Sequence, residues 1–185
     1  MRDVAMASQS VWFLGLLLVA CSVAPEPAAR GRFEVVVLGT AQDGGLPHFG
    51  CDRECCALAR ASGRELFPAS LGVIDHDTGR LLLIEATPRV EPQVALLHAA
   101  AGVADRGRRP VDAVLLTHAH IGHYLGLAHF GREVASTPQL PVHVSPRMAA
   151  FLRGHGPWTQ LVAQRQIGEV GSEQIKLTAA PGFAA

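Results

Sequence analysis

Apolar and polar positions alternate along the chain in short blocks, and the block lengths predict strands separated by helices. "RFEVVVLGT", from Arg32 to Thr40, is a β-branched run closed by Gly39 and predicts a buried strand. "AQDGGLPHFG" is rich in glycine and proline and predicts a loop. "ECCALARASG" holds a helical turn or two. "SLGVIDHDTGRLLLIEA" predicts a hairpin with strands Ser70 to Asp75 and Arg80 to Ala86, because "DHDTG" supplies turn residues. Val94, Leu97 and Ala101 share one face at helical spacing, which predicts a helix from about Val90 to Ala104, ended by "DRGRRP". "VDAVLLT", Val111 to Thr117, reads as the next buried strand. "YLGLAHFGREV" then continues as a helix, "PVHVS" (Pro141 to Ser145) as a strand, "PRMAAFLRGH" as a helix and "EQIKLTAA" as a last strand. Strands and helices alternate without internal repeats, so the expected class is α/β with a largely internal sheet.

The N-terminus departs from this pattern. "VWFLGLLLVAC", Val11 to Cys21, is too short to cross a hydrocarbon core of ~30 Å but has the length of a signal-peptide apolar region. "LVAC" resembles a bacterial lipobox, whose cysteine becomes the lipidated first residue. Pro/Ala-rich sequence suited to a tether follows. The expected organisation is a lipoprotein-type signal peptide over 1–20, a tether over 21–32 and a folded domain over 33–185. Cys21 is the expected lipidation site, and the protein is expected to be exported and held at the membrane by acyl chains. An ordinary secretory signal and an uncleaved buried helix are the alternatives.

Composition narrows the function classes. The 185 residues carry a formal net charge of zero, with 17% charged and 49% hydrophobic residues. Such a chain can bury a core, and no basic stripe points to nucleic acid. Of the four cysteines, Cys51, Cys55 and Cys56 lie together in "HFGCDRECCALA". Three is an odd number for disulfides in an oxidising compartment. A metal site that includes His48 is one resolution, and one disulfide with a free thiol is another.

The densest chemistry lies in "LLTHAHIGHYLGL", residues 115 to 127, with His118, His120 and His123 within six positions. Residues two apart in a strand point to one side, so His118 and His120 can aim at one point beyond the strand end. His123 follows where the chain can turn into a helix. Imidazole suits zinc, iron and copper ions, and α/β folds usually place ligands at strand ends. The alternative is three unrelated loop histidines.

"THAHIGH" resembles the His-x-His-x-Asp-His signature of the metallo-β-lactamase fold, with His118, His120 and His123 at its histidine positions. "AVLLT" is similar to the strand that precedes that signature, and "LLLIEATP" to the family's earlier strand ending in an acidic residue and a turn. "VLGTAQDGGLPHFGCDRECC" resembles the opening strand and Cys-rich loop of the pyrroloquinoline quinone (PQQ) biosynthesis protein B branch. "GREV", "PRMAAFL" and "GPWTQLV" fit the same branch, so the resemblance runs from about Phe33 to Leu177. It implies a four-layer αββα sandwich of two similar halves. It also implies a divalent metal, zinc first with iron or manganese as alternatives, and a hydrolase-like or oxygen-using chemistry on a small molecule or modified peptide.

Two departures change those expectations. Gly122 stands where the family has an aspartate that binds a second metal or handles a proton. The family's remaining ligands come from the second half of the sandwich, and neither His143 nor His155 is expected to replace them. The expected fold is therefore the first half of the sandwich, with an incomplete metal site and unassigned catalytic residues. Such a half leaves a sheet face open to self-association. An inactive truncated remnant or a metal-binding lipoprotein is the competing reading. The branch also implies a structural zinc held by His48, Cys51, Cys55 and Cys56, although its cysteines are spaced C-x-C-x2-C and these are C-x3-C-C. A module that binds zinc only through this loop is a third reading. Asp43 is read as a turn former or a group facing the metal. Glu85 is read as an acceptor for the N–H of a metal-bound histidine or as a capping or solvated carboxylate. Arg89 and Trp158 are expected to be structural.

Overall fold

A computed structural model describes residues 31–171 of the chain. The expected signal peptide, most of the expected tether, Cys21 and the expected "EQIKLTAA" strand lie outside the described residues. Six strands form one sheet in sequential order: β1 (Phe33–Gly39), β2 (Ser70–Asp75), β3 (Arg80–Ile84), β4 (Ala113–Leu115), β5 (Leu140–His143) and β6 (Ile167–Gly171). β1 to β3 are antiparallel, and β3 to β6 are parallel. The β2–β3 turn is tight because the Asp75 carboxylate accepts the Asp77 N–H at 3.1 Å and the Thr78 hydroxyl at 2.8 Å. Gly79 supplies the left-handed residue there, at φ 68°.

Parallel neighbours need crossover connections, and helices supply them. α2 (Val90–Ala101) joins β3 to β4. α3 (Ile121–Tyr124) and a 3-10 segment (Leu125–Phe130) lead from β4 towards β5. α4 (Pro146–Gly154) and α5 (Trp158–Ala163) join β5 to β6. A further helix, α1 (Glu54–Ser62), lies between β1 and β2. α2 ends at Gly102, whose left-handed backbone donates to the Ala99 and His98 carbonyls, so the helix stops before the expected Ala104. Ser145 is not a strand residue but the N-cap of α4, accepting the Met148 N–H. α5 and β6 have too few apolar repeats to declare themselves by periodicity.

The strand register separates two sheet faces. Leu38, Ile74, Leu81, Leu83, Val114 and Val142 are buried in one cluster with Val94 and Leu97 of α2, Leu152 of α4 and Trp158 of α5. Gly72 is part of this packing, because a Cβ there would lie 2.4 Å from Leu97 Cδ1. The opposite face carries Val35 and Val37, each 61% exposed, beside half-buried Leu71, Leu82, Ile84 and Leu115. The expected internal sheet is thus covered on one side, since the crossover helices pack on the same face. Among the described residues, no helix is long and apolar enough to cross a membrane.

Candidate metal centre

The site forms where β3 and β4 end side by side. Glu85 follows the last residue of β3 and prolongs the pairing, since its N–H donates to the Leu115 carbonyl at 2.9 Å. Its backbone lies at φ 71°, a region that glutamate rarely occupies. Such strain persists only when the surroundings hold it, and here it turns the carboxylate inward. Glu85 is 5% exposed. Its Oε1 accepts the Thr117 N–H at 3.0 Å and the Thr117 hydroxyl.

This contact orders the first histidine. A hydroxyl has one proton, and Thr117 directs it to Glu85. The Thr117 Oγ1 also lies 2.8 Å from His118 Nδ1, so it accepts from that nitrogen. The network therefore assigns the proton to Nδ1 and leaves the lone pair on Nε2 of His118. His120 has an extended backbone and forms the N-cap of α3. His123 is one turn on. Its N–H donates to the His120 carbonyl at 2.9 Å, and its own carbonyl accepts from Ala86 N–H at 2.9 Å. Gly126 N–H in turn donates to the Ala86 carbonyl at 2.9 Å. The helical turn is thereby pinned to the end of β3.

His118 lies against both of the other imidazoles, which stand apart from each other, and His120 is outside the compact donor group of Glu85, His118 and His123. Ring centroids are 4.6 Å apart for His118 and His120, 4.2 Å for His118 and His123, and 6.4 Å for His120 and His123. Two carboxylates flank His123: Nε2 lies 3.2 Å from Asp43 Oδ1, and Nδ1 lies 3.5 Å from Glu85 Oε2. Glu85 Oε2 and His123 Nδ1 are both buried and have no hydrogen-bond partner. Glu85, His118 and His123 can each offer a donor atom with all three within 4.8 Å of one another. That donor set, imidazole nitrogen with carboxylate oxygen, suits zinc, manganese or iron(II).

The cysteine loop is arranged differently. Cys56 is 3% exposed, and its sulfur accepts the His48 backbone N–H at 3.4 Å. Cys55, the next residue on α1, is exposed, and Cys51 is half-buried. The His48 ring packs over Gly44, where a Cβ would lie 2.2 Å from His48 Nε2. Among the described residues, His48 and the three cysteines form no donor cluster of the kind seen at Glu85, His118 and His123. His143 ends β5, and His155 stacks on Phe151 at 4.8 Å. Arg89 pairs with Glu65 at 2.6 Å, and Trp158 is buried against Tyr124 at 5.2 Å.

A cavity of about 260 Å³ opens beside His118, lined also by Tyr124, Ser145, Arg147, Met148 and Phe151. A larger one, about 680 Å³, lies along α2 and touches none of the histidines of the cluster. The smaller cavity is the one adjacent to the chemistry. Thr117 is the residue that sequence reasoning missed, because a threonine at a strand end carries no signal until its neighbour across the sheet is known.

A sheet of this order with imidazoles and carboxylates gathered at its strand ends has the form of a metal-binding α/β domain. The chain belongs to the metallo-beta-lactamase superfamily, whose sequence pattern matches residues 64–166, more than half of its length. Among curated relatives it is similar to the coenzyme PQQ synthesis protein B of Methylobacterium nodulans, at 32% identity over 99 residues, covering 51% of this chain and 32% of that protein. The protein of the same name from Ruegeria pomeroyi is 33% identical over 99 residues, with the same coverage. Among solved structures, Zn(2+)-bound PqqB from Methylobacterium extorquens superposes with a TM-score of 0.62 at 26% identity, covering 80% of this chain and 52% of that one. A diphosphatase of the PhnP family shares the fold, with a TM-score of 0.53 at 22% identity over 77% of this chain and 50% of that one. The chain spans about a third of the length of the curated relatives it matches.

Proposed function

We propose that this chain carries a divalent-metal centre of hydrolytic type, with zinc the first candidate and iron or manganese the alternatives. His118, His120 and His123 would hold the ion, and Glu85 stands against the same point. The carrying observation is the His118 ring packed against His120 and His123, at 4.6 and 4.2 Å between centroids, with the buried Glu85 carboxylate 3.5 Å behind His123. A bound divalent ion supplies a Lewis acid and a water acidic near neutral pH.

The chain's own residues do the remaining work. Thr117 and Glu85 hold His118 with its Nε2 lone pair outward, and the backbone link from Ala86 to His123 fixes the third imidazole. The cavity beside His118 favours a small substrate, or the side chain of a modified peptide, with an apolar part against Met148 and Phe151. Arg147 at its rim favours an anionic group on that substrate. The similarity to Zn(2+)-bound PqqB supports zinc as the ion. A metal-binding protein without turnover is the second reading, supported by the donor count: one compact group of three among the described residues.

Calorimetric titration of the metal-stripped chain with Zn2+ tests the proposal. His118→Ala is expected to weaken binding by roughly 10-fold or more, as loss of a ligand or its support commonly does. Equal zinc binding by the parent and His118→Ala would sink it.

A further inference from the structure

The position that breaks the family signature is Gly122, and the structure shows what fills its place. A Cβ built on Gly122 would lie 2.3 Å from Asp43 Cβ, 2.6 Å from Asp43 Cγ and 2.8 Å from Asp43 Oδ2. The Asp43 carboxylate thus occupies the volume in which a side chain at position 122 would begin. It arrives from a distant part of the sequence, the "AQDGG" segment after β1. That segment is held by backbone bonds from Ala41 N–H to the Phe67 carbonyl at 2.9 Å, and from Gly45 N–H to the Gln42 carbonyl at 2.7 Å. Gly45 adopts φ 73°, which lets the loop turn back after delivering the carboxylate.

The hydrogen-bond accounting around His123 then points outward. Glu85 Oε2, a carboxylate oxygen and so an acceptor only, lies 3.5 Å from His123 Nδ1 and favours the ring proton on that nitrogen. Nε2 then presents a lone pair. The atom facing that lone pair, at 3.2 Å, is Asp43 Oδ1, another acceptor. A cation closes this contact, either a proton on Nε2 or a metal ion beside both atoms. Donors held at about 2.0–2.1 Å by one tetrahedral zinc lie roughly 3.3 Å apart, which matches the observed separation. Glu85 and Asp43 therefore meet His123 from opposite sides, Glu85 from the buried side and Asp43 from the half-exposed one.

We infer that Asp43 is a metal ligand that replaces, from the β1–α1 loop, the carboxylate that Gly122 lacks. The inference rests on the metal-centre reading above. The compensation is reciprocal: Gly122 is needed because Asp43 is present, and Asp43 is needed because Gly122 has no side chain.

A swap tests it, with zinc affinity of the full chain as the readout and circular dichroism as the check on folding. Asp43→Ala is expected to lower zinc affinity by roughly 10-fold or more. Gly122→Asp alone drives a side chain into Asp43 and is expected to perturb the loop. The double variant Asp43→Ala/Gly122→Asp, with the space cleared and a carboxylate restored, is expected to regain most of the parent affinity. Parent-like zinc binding by Asp43→Ala would overturn the inference, and so would a folded double variant that binds no better than Asp43→Ala. Neither result touches the histidine centre if His118→Ala still loses zinc. Absence of zinc binding by the parent itself would instead overturn the metal reading, and with it this assignment.

Discussion

Gly126 shows how narrowly the site tolerates change at one residue. A Cβ there would lie 2.1 Å from the Thr87 carbonyl oxygen and 2.8 Å from that of Ala86. Both neighbours are backbone, so nothing flexible can yield. Gly126→Ala is expected to destabilise the fold by roughly 1–3 kcal/mol. Urea unfolding should show the midpoint falling with an unchanged slope, and an unchanged midpoint would refute the packing argument. The same scale separates what the sequence exposes from what it hides. His118, His120 and His123 are legible because they are close in sequence and their spacing suits one face. The proximity of Glu85 to Thr117, and of Asp43 to Gly122, depends on chain segments 32 and 79 residues apart, and only the fold brings them together.

Among the elements, the β2–β3 hairpin matches the bounds that alternation and turn residues predict, with β3 ending at Ile84 rather than Ala86. The segment after the histidines does not form the continuous helix expected of "YLGLAHFGREV". It breaks into a short helix and a 3-10 segment, because Gly126 N–H is drawn to the Ala86 carbonyl of the β3 end. Local periodicity cannot anticipate a backbone bond to a distant strand. β4 owes its position to Asp112, which precedes it. The Asp112 carboxylate receives the Arg106 guanidinium at 2.9 and 3.0 Å and the Leu81 N–H at 2.8 Å. Burial works against its charge, but Arg106, the Leu81 N–H and the nearby Arg80 outweigh it and hold the carboxyl below its ordinary value. A carboxyl depressed in the folded state stabilises above the unfolded pKa of about 3.9, and the gain is lost as pH falls through the folded pKa. Asp112→Asn should therefore cost on the order of 1 kcal/mol near neutral pH, the pair being partly solvated. In denaturation across pH, the gap from the parent should close below about pH 4. A gap that persists in acid would mean that the charge is not what matters.

For the whole molecule, the sheet with helices on one side leaves Val35 and Val37 in solvent on the other. Contiguous apolar surface of this kind commonly marks contact with another surface. The chain is expected to self-associate through this face at high concentration. Val35→Thr/Val37→Thr keeps the β-branching that suits a strand and removes a methyl from each contact. Light scattering after size exclusion should show the variant with the lower apparent mass. An unchanged mass distribution would place any association elsewhere. The α/β alternation was legible in the sequence. Which residues form that face follows from register, which periodicity alone leaves open.

The interlocking of Asp43 and Gly122 sets an order on how such a sequence can drift. A lineage that acquired aspartate at 122 first would meet Asp43 within 2.3 Å and lose the fit of the loop. One that lost the Asp43 side chain first would pass through a stage with space but one fewer carboxylate. The two positions are therefore expected to change together. Each residue looks dispensable when judged alone, one a loop aspartate and the other a small residue in a helix, yet a change at either has its meaning set by the other.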